Sequence, residues 1–96
     1  MVIDQRFEWD DEKAASNFLK HGITFNEAVL GFSDAFAIER IDDRRNYGEE
    51  RINILAMCRG IIIHVTYSEY SGRVRIVSAR KAEKHEQDHY YRENSA

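Results

Sequence analysis

At 96 residues the chain is long enough for one domain built on one core, with little margin in buried area. It is 43% hydrophobic and 32% charged, and no apolar run approaches the roughly 20 residues that a membrane span needs. The net charge of −3 argues against general affinity for nucleic acid, and a single cysteine, Cys58, excludes an internal disulfide and reads as a small buried hydrophobe in a reducing compartment.

Met1 to Asp4 has neither the basic start nor the apolar stretch of a secretory signal, so a cytoplasmic location is expected. Proline is absent, no linker or repeat interrupts the chain, and residues 1–96 read as one domain. Val2 to Trp9 opens it with a short extended segment. Asp10 is a candidate N-cap, and Asp11 and Glu12 favour the positive end of a helix dipole. The first helix is expected to run to about Lys20, with Ala14, Ala15, Phe18 and Leu19 as its apolar stripe and Gly22 as its left-handed stop. Thr24 and Glu27 have capping-box spacing for a second helix, where Ile23 can staple against Ala28 while Val29 and Phe32 continue the buried face.

From Phe36 the pattern turns to extended segments: a strand over Phe36 to Ile41, a polar loop from Asp42 to about Glu49, then Arg51 to Cys58. In that last strand Ile52, Ile54, Ala56 and Cys58 share one face and Arg51, Asn53, Leu55 and Met57 the other. Arg59 and Gly60 turn the chain into Ile61 to Ser68, and Ser71 and Gly72 turn it into Arg73 to Ser78. Pairing Ser68 with Arg73, Thr66 with Arg75 and His64 with Val77 separates two faces. Ile61, Ile63, Val65, Tyr67, Val74 and Ile76 form an apolar one; His64, Thr66, Arg73 and Arg75 form a polar, basic one. A third helix is expected from about Ala79 to Arg92, packing through Ala82, His85 and His89 or Tyr90. The fold class is α+β, with two N-terminal helices, a curved, mainly antiparallel sheet of about four strands and one C-terminal helix.

Charge is uneven along this order. Residues 1–50 carry 6 Lys and Arg against 12 Asp and Glu, whereas residues 51–96 carry 8 against 5. A phosphate-binding surface therefore belongs to the second half, with Arg51, Arg73, Arg75, Arg80, Lys81 and Lys84 as candidate cations. From charge counting alone a solvated charged face is the commoner outcome. His85, Glu86 and His89 match the zinc-hydrolase pattern of two histidines four apart with an intervening glutamate. No third ligand follows, and histidines on a polar helix are the better account.

The residues also carry a family resemblance over nearly the whole chain. Phe7, Glu8, Trp9 and Asp10 with Lys13 and Asn17 come first, then Lys20 to Phe25 with Glu27 and Ala28, then Phe32 and Asp34. Glu50 and Arg51, Arg75 to Ala82, Glu86 and Tyr90 complete the order. In this spacing the sequence resembles the BrnT toxins. That resemblance implies a RelE-like fold and a metal-independent endoribonuclease that inhibits translation, with RNA as substrate and no cofactor. It implies a cognate antitoxin with a ribbon-helix-helix DNA-binding segment, bound in a hetero-oligomer that reaches operator DNA through the antitoxin alone.

Cleaving RNA without a metal requires the 2′-hydroxyl to lose a proton, the 5′-oxygen to gain one, and the added negative charge at phosphorus to be stabilised. Arginine suits the last task, being planar, always charged and bidentate toward phosphate. Arg80 is the leading candidate, expected where the last strand meets a helix N-terminus. Arg75 follows from the basic face, and His64 on that face is the candidate for proton transfer. Arg51, Arg73 and Lys81 are candidate RNA contacts. Tyr67 and Tyr90 are further hydroxyls, and His21 reads as a cation at a helix C-terminus. Tyr70 stands where many family members have arginine; it could stack a base, or mark a weakly catalytic member that acts as an antitoxin-binding module and co-repressor.

Overall fold

The structure, a computed structural model, describes residues 6–42 and 50–95, and of Tyr70 the backbone alone. The helix signals in the sequence are the ones the chain uses. Asp10 caps α1 (Asp11–His21) by accepting the Glu12 amide at 2.8 Å, and Gly22 ends it at φ 72°, donating to the Phe18 carbonyl. Thr24 and Glu27 close the expected capping box of α2 (Phe25–Gly31).

Among the described residues the sheet has five strands rather than about four, because Phe7–Glu8, ahead of α1, joins it as β1. The others are β2 (Ile38–Asp42), β3 (Arg51–Cys58), β4 (Ile61–Tyr70) and β5 (Arg73–Lys81), in the spatial order β1-β5-β4-β3-β2. Strands β2 to β5 are antiparallel meanders, and β1 lies parallel to β5, which makes the sheet mixed. The first long strand starts two residues later than expected, and Phe36 is exposed. Asp42 belongs to that strand and is buried, and the rest of the predicted polar loop, 43–49, lies outside the described residues.

The predicted β4–β5 register is corrected. Ser71 and Gly72 alone form the turn, both at positive φ, so Tyr70 pairs with Arg73 and Ser68 with Arg75. A bulge then shifts the ladder again, pairing Thr66 with Ser78 and His64 with Arg80. Val74 and Ile76 face the core, as expected, but past the bulge it is Ala79 that does so, and Ser78 and Arg80 turn to the opposite face. Strand β5 also runs three residues further than predicted, so α3 (Lys84–Glu93) starts well beyond Arg80. Arg80 is the penultimate residue of β5, three before the N-cap Glu83, and so belongs to the strand rather than to the helix N-terminus.

One sheet face is covered by α1 and α2 over a core that includes Phe7, Trp9, Phe25, Ile63, Val65 and Ile76. Phe32 packs edge-on against both Phe7 and Tyr67, with ring centroids 5.0 Å from each. Gly31 brings α2 close to the strands: a Cβ there would stand 3.2 Å from that of Ala56. The expected stripe of α1 is corrected, since Ala15, Phe18 and Leu19 are exposed and its buried residue is Asn17. Asn17 donates to the carbonyls of Ile23 (3.1 Å) and Ala79 (2.7 Å) and accepts the Ala79 amide (3.1 Å). Its amide thus satisfies the β5 edge where the two-residue β1 no longer runs alongside.

Helix α3 covers one end of the other face through Ala82 and Tyr90, which cluster with Leu55 and Ile62. His85 is exposed, so of the predicted packing residues Ala82 and Tyr90 serve fully. Asp34 fastens this helix to the sheet, accepting from the Tyr90 hydroxyl at 2.6 Å and the Met57 amide at 2.8 Å. Among the described residues no helix is long and apolar enough to cross a membrane.

Candidate nucleic-acid interface

Residues paired across neighbouring strands share a face, so the register lays out the side not covered by α1 and α2 as rows. The first row crosses all five strands: Asp42, Arg51, Ser68, Arg75, Glu8. Next come Arg40, Asn53, Thr66 and Ser78, where the Thr66 hydroxyl donates to Asn53 Oδ1 at 2.8 Å. The third row is Ile38, Leu55, His64 and Arg80, and there α3 begins to cover the sheet. An open cleft of about 750 Å³ lies between this face and α3, lined among others by Arg40, Asn53, His64, Arg80, His89 and Arg92.

His64 and Arg80 are directly paired, and Glu86 from α3 meets both. Arg80 grips the Glu86 carboxylate with two parallel bonds, Nη1 to Oε1 at 2.8 Å and Nη2 to Oε2 at 2.9 Å, and Nη1 also reaches the Lys81 carbonyl at 3.3 Å. Glu86 Oε1 accepts the Glu83 amide at 2.8 Å, which makes Glu86 the inward half of the capping box that starts α3. His64 Nε2 stands 3.9 Å from Glu86 Oε2. Burial acts to raise the Glu86 pKa, but the Arg80 bonds, the Glu83 amide and the neighbouring charges prevail and hold it down to about 2. Arg80 is raised in turn by its bond to Glu86.

The structure divides the predicted cations. His64, Arg80, Arg75 and Arg51 share one face, but the His64–Arg80 row and the Arg51–Arg75 row lie four residues apart, roughly 13 Å along the strands. Glu8 ties Arg73 (Nε to Oε1, 2.9 Å) and lies 3.5 Å from Arg75, holding both at the β1 end. Ser68, between Arg51 and Arg75, is fully buried, and its hydroxyl has no hydrogen-bond partner among the described residues. Lys81 is paired with Ile63, exposed, and on the opposite side of β5 from Arg80. The Tyr70 side chain lies outside the described residues. His21 is exposed in the last turn of α1.

Tyr67 and Tyr90 are unsuited to give up protons. Burial and the bond to Glu39 push the Tyr67 hydroxyl far up, and burial with the bond to Asp34 raises Tyr90 to about 12. Burial likewise raises the Cys58 thiol, which suits its place in the core. The zinc-like pattern is engaged otherwise. Ligand atoms of Glu83, His85 and Glu86 lie within 4.8 Å of one another, but both Glu86 oxygens already accept from Arg80, and the His89 ring contacts Arg92.

Glu86 was expected only in the zinc-like pattern and the family resemblance, and Glu8 only in the latter; neither had an expected role beside the arginines that both organise. Glu86 was visible as the residue three after Glu83, a capping-box spacing, and Glu8 as an acid beside two core aromatics. Residues 9–86 match a family model described as the ribonuclease toxin, BrnT, of type II toxin-antitoxin systems. No curated protein matches the chain.

Proposed function

Since the chain belongs to the BrnT family, the ribonuclease toxins of type II toxin–antitoxin systems, we propose that it cleaves RNA without a metal ion and so inhibits translation. The observation that carries this reading is the cross-strand pair of His64 and Arg80 in the floor of the cleft. In that reaction the 2′-oxygen gives up its proton and bonds to phosphorus, the bond from phosphorus to O5′ breaks, and O5′ takes up a proton. The products carry a 2′,3′-cyclic phosphate and a 5′-hydroxyl. Arg80 stabilises the charge on the phosphoryl oxygens, and His64 moves a proton. Arg75 adds positive charge further along the face, with Arg51 and Arg73 on the flanking backbone and Lys81 as a peripheral contact. Tyr70 is proposed to stack a base.

The fold is read as RelE-like and the protein as cytoplasmic. Its partner is an antitoxin with a ribbon-helix-helix segment, and the hetero-oligomer reaches operator DNA through that segment. Incubating the purified protein with RNA in excess chelator and mapping the ends tests the chemistry. Cleavage should persist, with Arg80→Ala and His64→Ala each about 100-fold slower and still folded. Cleavage that needs added metal, or an undiminished Arg80→Ala, rejects the mechanism. The pairing of Arg73, Arg75 and Arg80 with carboxylates favours one alternative, a weakly catalytic member serving as antitoxin-binding module and co-repressor. Tight antitoxin binding without new RNA ends on expression would select it.

A further inference from the structure

A guanidinium has five N–H donors, arranged as an end fork shared by its two terminal nitrogens, a side fork of Nε and Nη2, and one outer N–H on Nη1. In Arg80, Glu86 takes the end fork and the Lys81 carbonyl takes the outer N–H of Nη1. Among the described residues nothing accepts from the side fork, whose two parallel donors match two oxygens of a phosphate. Glu86 is itself fixed from behind by the Glu83 amide, on a helix anchored through Tyr90 to Asp34. A carboxylate so strongly held in its charged form is a poor proton acceptor.

We propose that Glu86 is a positioning residue, clamping Arg80 so that the scissile phosphate is bound side-on by its Nε and Nη2 donors next to His64. This rests on the ribonuclease reading and assigns to the carboxylate a task opposite to its charge. On charge alone, Glu86 repels RNA and its removal should help both binding and rate. As a clamp, it costs some affinity and is repaid in orientation, because reaction rate is steeply sensitive to small misplacement.

Glu86→Gln tests the difference, since glutamine keeps the capping-box acceptor but opposes an amide N–H₂ to one arm of Arg80. The expected result is kcat lowered about 10- to 100-fold with KM unchanged or lower. An unchanged or increased kcat in the folded variant overturns the proposal. A second measurement uses the unaltered protein: the Arg80 Nε–H resonance in nitrogen-15 NMR, during titration with a 2′-O-methyl RNA oligonucleotide that cannot be cut. That resonance should shift in saturable fashion, and a silent Nε–H while the oligonucleotide binds overturns side-on capture, whether or not Glu86→Gln folds. If the unaltered protein cuts no RNA but its Nε–H shifts, the ribonuclease reading and the clamp's role in rate both fail, and side-on phosphate binding by Arg80 alone stands.

Discussion

Asn17 shows how one polar side chain in a helix face can decide packing. Three hydrogen bonds run from its amide to the backbone of Ile23 and Ala79, and replacing it leaves those buried groups without partners. Asn17→Ala should therefore lower stability by about 2–4 kcal/mol, read as a reduced urea midpoint, and a loss below about 1 kcal/mol would show that the β5 edge finds other partners. Glu86 gives a pH dependence of defined sign. Its pKa is held near 2 against an ordinary 4.5, so between those values the unfolded chain binds more protons than the folded one. Its contribution is present above about 4.5 and drains away as pH falls toward 2. Asp34 and Glu27, both lowered, add to the same trend. Urea midpoints through this interval should fall less steeply in Glu86→Gln than in the unaltered protein; parallel curves would reject the coupling. Arg80, its partner, was legible as a phosphate-binding candidate from its side chain, while the direction it faces was not.

Elements were legible where their signals are local. Asp10, Gly22, Thr24 and Glu27 mark α1 and α2 because caps act within a few residues, and alternation alone sets the bounds of β3. The end of β5 was misread because Arg80, Lys81 and Ala82 are good helix formers, yet β4 offers them a ladder as far as Ile62. Helix α2 depends on its close approach to the sheet at Gly31, where Ala56 and Ile63 Cδ1 leave 3.2 and 3.3 Å for a Cβ. Gly31→Val should cost about 1–3 kcal/mol through overpacking, measured by thermal or urea unfolding, and full stability would mean that α2 can lift without penalty.

Across the whole molecule the net charge of −3 is set against a face on which several arginines are already paired with acids. RNA binding should then be salt-sensitive to a limited degree, with log K falling against log salt at a slope of about −2, as for roughly three neutralised phosphates on a single strand. Filter binding across a salt series checks this, and a slope near zero would remove phosphate contact from the account. By itself the sequence determined the starts of α1 and α2, the alternation of β3 and β4, the turn at Ser71 and Gly72 and the family, all carried by neighbouring residues or by ordered motifs. Only the tertiary structure decided that β1 joins the sheet, that a bulge swings Arg80 onto the cleft face, and that Glu8 and Glu86 divide the arginines between them. The Arg73–Glu8 and Asn17–Ala79 bonds join residues 65 and 62 positions apart. No local propensity encodes such pairs, because they exist only once the sheet has brought the two ends of the chain together.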